Sequence, residues 1–185
     1  VTQDPTTPEF QDVYNQLLKN IILPVFDDWD GFEALSIIRV SDGLVLISND
    51  KTLENKYRES ENYFIEGQKA AYVDDAIYSL SHQEADMHIA VPIQDTFGKT
   101  ISVLVGHLNF QEMTDIMLKR AAQSQSEETY LVNAFNFFVT ASRFEPDSAL
   151  KKVVRSQGVA ACLAEENGVG FYEDYRGVQV VGVYQ

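Results

Sequence analysis

The stretch that decides the fold is MHIAVPIQDTFGKTISVLVGHLNF, residues 87–110. Met87–Ile93 alternates apolar residues with others, as a half-buried strand does. Asp95-Thr96-Phe97-Gly98-Lys99 has the composition of a turn, and Thr100–Phe110 reads as a long strand, so the segment predicts an antiparallel hairpin. Its most apolar part, Ile101–Phe110, is broken by Ser102, His107 and Asn109 and falls well short of the ~18–20 residues of a membrane span. His107 is the anomaly. A polar group left unpaired inside an apolar strand costs about 1–3 kcal/mol, so a protein or ligand partner is expected for it.

Working toward the N-terminus, Leu35–Val40, the turn Ser41-Asp42-Gly43 and Leu44–Ser48 predict another hairpin. Before it lies the strongest helix signal. Thr7 suits an N-cap, Pro8 the first helical position and Glu9 the first turn. Phe10, Val13, Tyr14, Leu17, Leu18, Ile21, Ile22 and Val25 keep the i, i+3, i+4 spacing of one apolar stripe. Pro24 is expected to kink or end this helix, over 8–23. Residues 1–7 are polar and expected to fray. Residues 49–86 are mixed and polar, with short helices and a group of aromatics (Tyr57, Tyr63, Phe64, Tyr72, Tyr78).

Toward the C-terminus, Gln111–Ala122 predicts a joint helix. A strand pair over Thr129–Asn133 and Phe137–Ser142 follows, then a helix opened by Pro146 and carrying Leu150, Val153 and Val154. After a short helical piece over Val159–Glu165, a final hairpin joins Gly170–Asp174 to Val178–Tyr184 around Tyr175-Arg176-Gly177, where Gly177 is expected at positive φ. Tyr172 and Tyr175 are expected to flank a cleft there. The order strand–turn–strand, helical crossing, hairpin thus occurs twice. It predicts an α+β chain with antiparallel sheets: a helix and connection over 1–34, a first module over 35–110 and a second over 111–185.

Composition narrows function by exclusion. Lys and Arg number 14 against 28 Asp and Glu, a net charge of −14. This disfavours nucleic acid and anionic lipid, both of which require a basic surface. A hydrophobic fraction of 45%, with 11 Phe, 9 Tyr and 1 Trp, is ample for a packed core. Cys162 is the sole cysteine, which excludes an internal disulfide and a cysteine zinc cluster; a buried structural thiol is expected. The chain opens at Val1 without a signal peptide and reads as an excised fragment whose anchors lie outside it.

No GxSxG, Walker or HExxH motif occurs, so no catalytic constellation is apparent. His82, His88 and His107 show no ligand spacing. A metal held by His88 and His107 requires their strands to be neighbours. The expectation is one exposed and one partly buried histidine, with no metal and no cofactor. Asp28, Asp30 and Gly31 loosely resemble a calcium loop, but its first and last ligand positions fall on Phe26 and Ile37, which cannot coordinate calcium.

Four phrases carry a family resemblance: YFIEGQKAAYVDD (63–75), IAVPIQDTFGKTISVLVGHLNF (89–110), ETYLVN (128–133) and YEDYRGVQVVGVY (172–184). Over about residues 10–185 the chain resembles double Cache domains, the tandem PAS-like extracytoplasmic sensors of transmembrane histidine kinases and chemoreceptors. The resemblance implies a long N-terminal helix, a membrane-distal and a membrane-proximal PAS-like module, and membrane spans outside this sequence. It also implies a final strand beyond Tyr184 that this sequence lacks. Amino-acid-binding members hold the ligand with an Arg, a Trp, a Tyr and an Asp. Here those positions are Glu61, Tyr63, Phe64 and His107, so both charged contacts differ.

The expected function is ligand sensing for a histidine kinase, with a chemoreceptor sensor or a ligand-free interaction module as alternatives. This fragment is expected not to be an enzyme. The candidate ligand site is Tyr63, Lys69, Tyr72, Tyr78 and His107. Lys69 supplies a positive charge suited to a small carboxylate, whereas an inward Glu61 suits a cation or a hydroxylated ligand. The N-terminal helix is the candidate homodimer contact.

Overall fold

In a computed structural model, residues 7–28, 30–79, 84–120 and 124–185 are described. The chain divides into two compact units, one of residues 1–75 and 86–109 and one of residues 76–85 and 110–185. Residues 76–85 thus group with the second unit. Among the described residues no helix is long and apolar enough to cross a membrane.

In the first unit the helical run covers α1 (Pro8–Leu17), a π-helical turn (Leu18–Ile22) and α2 (Leu23–Asp28). Thr7 caps it as its sequence suggests, its Oγ1 accepting from the Phe10 N–H at 3.3 Å. Pro24 neither ends nor breaks the run. Proline lacks an N–H and its ring crowds the carbonyl four residues back. The widened π turn, in which the Leu23 N–H donates to the Leu18 carbonyl, accommodates that defect.

β1 (Phe32–Arg39), β2 (Val45–Ser48), β3 (Tyr72–Val73), β6 (His88–Gln94) and β7 (Thr100–Leu108) form an antiparallel sheet of order β2-β1-β7-β6-β3. β4 (Ile77–Ser79) and β5 (Glu84–Asp86) form a separate pair. Both predicted hairpins are present. One face of the sheet packs Leu35, Ile37, Ile47 and Leu104 under Phe10 and Ile22 of the helical run. The other packs Ile38, Val45, Ala90, Val103 and Val105 under Tyr63 and Phe64 of α3 (Asn62–Gly67). Gly67 permits that seating, because a Cβ there would lie 2.6 Å from the Ala90 Cβ.

The second unit holds α4 (Phe110–Arg120), α5 (Gln157–Leu163) and the hairpin of β8 (Gly168–Glu173) and β9 (Gln179–Tyr184). Gly177 lies at φ +76° in its turn, as expected. The Asp174 carboxylate ties that turn, accepting from the Arg176 and Val178 N–H groups at 2.8 and 3.1 Å. Burial opposes ionisation of Asp174, but the paired Arg176 guanidinium and these N–H donors outweigh it and hold its pKa below the usual range.

Two expected elements differ. No helix follows Pro146, because the local N–H groups are used across the chain. The Leu150 N–H donates to the Phe138 carbonyl and the Val154 N–H to that of Asn136, with Leu150 itself at φ +51°. The strand pair 129–133/137–142 is reduced to a bridge between Val132 and Phe138, since Thr140 Oγ1 takes the Leu131 N–H at 3.0 Å.

Candidate functional site

The candidate site lies at the end of the α3-covered face of the first unit's sheet. Side chains two apart on a strand share a face, so Val103, Val105 and His107 of β7 line up there, with Ala90 and His88 of β6. The register pairs Ala90 with Val105 and sets His88 directly opposite His107. The strands are neighbours, which meets the condition on which a His88–His107 metal site depended.

Both histidines are enclosed, contrary to the expectation that one is exposed. His88 is 6% exposed and His107 is half-buried. The Tyr63 ring, itself buried, stacks on His88 with centroids 4.0 Å apart, and His107 meets His88 edge-on at 4.6 Å. Two carboxylates flank the inner imidazole: Asp86 Oδ1 lies 3.1 Å from His88 Nε2, and Asp74 Oδ2 lies 3.5 Å from Nδ1. Nδ1 makes no hydrogen bond. Burial, and then the neighbouring His88, lower the His107 pKa to about 4. Burial likewise raises the Tyr63 phenol far above its ordinary range, so its hydroxyl stays protonated.

The predicted site residues therefore separate. Tyr63 and His107 meet around His88. Tyr72 is half-buried against the same core, its hydroxyl accepting from Asn62 Nδ2 at 2.7 Å. Lys69 stands exposed and pairs with Glu66 at 2.7 Å, so its charge is engaged at the surface. Tyr78 lies on β4, in the second unit. His82 lies outside the described residues. Asp74 and Asp86 lie outside the expected set, although Asp86 and His88, two apart in Asp86-Met87-His88, carry the period that places two side chains on one face.

The His107 shift makes a testable statement about acid stability. Its folded-state pKa lies below the unfolded value of about 6.5, so as pH falls below about 6.5 the unfolded chain binds the proton first. Stability attributable to His107 is complete at pH 7 and is lost progressively toward pH 4. With chelator present, urea denaturation at pH 7 and pH 4 is expected to show wild type losing about 2–3 kcal/mol more than His107→Leu. Equal losses would show that His107 titrates normally.

The second unit contains a cavity of about 630 Å³ lined by Glu128, Tyr130, Cys162, Tyr172, Asp174 and Arg176, among others. Tyr172 lines it as predicted. A Cβ on Gly158 or Gly182 would overlap its hydroxyl, so these glycines make room for the ring. Tyr175 instead turns into the core. It packs on Phe138 with centroids 5.0 Å apart, while its hydroxyl meets Ser142 Oγ at 2.5 Å and Glu128 Oε2 at 3.1 Å. Cys162, expected to be buried, is half-buried on the cavity wall because its short helix covers the core through Gly158 and Val159 instead.

No protein-family model matches the sequence, and no curated protein matches it. Solved structures do match the fold. The extracellular domain of rpHK1S-Z16, described as a histidine kinase, superposes with a TM-score of 0.66 at 10% identity, covering 94% of this chain and 76% of its own. The ligand-binding domain of the Pseudomonas aeruginosa amino-acid chemoreceptor PctC, in complex with GABA, gives 0.61 at 16% identity, with 97% and 74% covered. The periplasmic sensory domain of the Campylobacter jejuni chemoreceptor Tlp1 gives 0.63 at 16%, with 96% and 74% covered. The chain therefore has the α+β fold of the extracytoplasmic sensor domains of histidine kinases and chemoreceptors.

Proposed function

We propose that the chain is the extracytoplasmic ligand-sensing domain of a transmembrane receptor whose output is a histidine kinase, with the ligand bound in the first unit around Tyr63, Tyr72 and His107. The observation that carries this reading is the polar cluster at the end of the α3-covered sheet face, in which buried His88 and half-buried His107 are flanked by the partly exposed Asp74 and Asp86. Buried polar groups are costly unless matched, and a ligand that completes them gains both affinity and specificity. Signalling follows if that ligand binds two arrangements of the domain with different affinity.

Similar structures hold GABA or amino acids. Here two carboxylates stand where the ligand would sit, and the candidate cation Lys69 is engaged by Glu66. These features favour a cationic or hydroxylated ligand over the small carboxylate that Lys69 suggested. A thermal-shift screen of amino acids, amines, sugars and small carboxylates tests the reading. At least one non-carboxylate compound is expected to raise Tm in wild type and not in His107→Gln. Stabilisation by carboxylates alone would overturn the ligand preference.

One observation favours a second reading, an interaction module. Val13 and Ile21 of the helical run are 45% and 60% exposed, an apolar strip suited to pairing two copies. Concentration-dependent dimerisation in sedimentation, abolished by Ile21→Asp, together with a screen without hits, would favour it over sensing.

A further inference from the structure

We propose that Asp86, His88 and His107 bind a divalent transition-metal ion, with Zn²⁺ the best chemical match. Their three donor atoms lie within 4.8 Å of one another. Tetrahedral zinc at about 2.0–2.1 Å from each ligand holds donors roughly 3.4 Å apart, a contraction that side-chain rotation supplies. Two imidazoles and one carboxylate are a borderline donor set that suits zinc, nickel or cobalt and disfavours magnesium and calcium, which take oxygen ligands. Three protein ligands leave a position open, which suits reversible capture over permanent structural binding.

The independent observation is His88, which is more than nine-tenths buried between two carboxylates, with Nδ1 lacking any hydrogen bond. A neutral imidazole carries one N–H and one lone pair. It can donate to Asp74 or to Asp86, and whichever it leaves then faces a lone pair. A proton directed to Asp74 turns the Nε2 lone pair toward Asp86 Oδ1, 3.1 Å away, a repulsive pairing that a cation between them converts to two bonds. Asp74, on the other side, then acts as a positioning residue, as carboxylates behind metal-bound histidines do. His107 completes the set from the opposite strand.

The inference deepens the sensor reading by naming a ligand class, and its test separates the two. The 185-residue chain, stripped with EDTA and carrying Cys162→Ser to remove the thiol, is titrated with Zn²⁺ alone by calorimetry, and with Co²⁺ followed by its visible absorption. One Zn²⁺ per chain is expected at micromolar affinity or tighter, with an intense tetrahedral-type Co²⁺ band and no response to Mg²⁺. Asp86→Asn, at a partly exposed position that tolerates the change, and His107→Gln are each expected to weaken Zn²⁺ binding at least tenfold. Asp74→Asn is expected to weaken it and shift the Co²⁺ band. Absence of stoichiometric binding, or binding unchanged in Asp86→Asn and His107→Gln, overturns the metal site. In either case an organic hit in the thermal-shift screen still upholds the sensor reading. Zn²⁺ bound as described, without effect on autophosphorylation of the membrane-embedded receptor, supports the metal site and counts against metal sensing as its function.

Discussion

Tyr63→Ala is expected to destabilise the chain by about 3–5 kcal/mol, the usual cost of truncating a buried ring to alanine. Tyr63 joins Ile38, Val45, Phe64, Ala90, Val103 and Val105 in one core, and its ring lies flat on His88. Truncation removes the packing and also opens the polar cluster, admitting water beside a buried histidine. Tyr63→Phe keeps the ring and the stack, and is expected to cost under about 1.5 kcal/mol, as a near-isosteric change in a core does. Urea denaturation followed by near-ultraviolet circular dichroism measures both. A loss under about 1 kcal/mol for Tyr63→Ala would mean that the ring stands in a preformed ligand space and carries none of the core. Comparable losses for both variants would point to the hydroxyl as the important group.

Phe138→Ala is expected to be comparably damaging, at about 3–5 kcal/mol, because its fully buried ring is central to the packing of the second unit. Its buried cluster is Phe138, Val154 and Val159, with Tyr130 and Tyr175 packed edge-on against the Phe138 ring at 4.8 and 5.0 Å. Of these two rings, Tyr175 also joins the network in which Glu128 Oε2 accepts from Ser142 Oγ at 2.7 Å and from the Tyr175 hydroxyl at 3.1 Å. Losing the central ring frees both, so the hydrogen bonds are expected to loosen with the packing. Hydrogen exchange provides the readout. Amides of the loop backbone over 131–154 and of β8–β9 are expected to lose protection, while those of β6 and β7 retain it. Uniform loss over both units would show that they unfold as one cooperative body.

Much of the fold was legible because it rests on local rules. The Thr7-Pro8-Glu9 cap, the period-two alternation of residues 87–110 and the need for positive φ at Gly177 are set by neighbouring residues alone, and the structure agrees at each. The phrases ETYLVN and YEDYRGVQVVGVY were each conspicuous in isolation. That Glu128 of one bonds Tyr175 of the other is a long-range fact which no spacing encodes. The helix read after Pro146 failed for a related reason. Leu150, Val153 and Val154 have helical spacing, but their segment donates its hydrogen bonds to residues 136–138.

The candidate site shows the division most sharply. By itself the sequence determined that His107 interrupts an apolar strand and needs a partner. It did not determine which partner. Counting back from the tight turn at Asp95–Lys99, Gln94 pairs with Thr100, and an unbroken ladder from there sets His88 opposite Gly106, on the face away from His107. An irregularity between Ile93 and Gln94 shifts the ladder by one residue and sets His88 opposite His107. Because strand side chains alternate with a period of two, that one-residue slip moves the whole strand to the other face. It brings His88 beside His107, between Asp74 and Asp86. A bulge is a compromise between turn geometry and the packing of two sheet faces, and only the folded chain contains both.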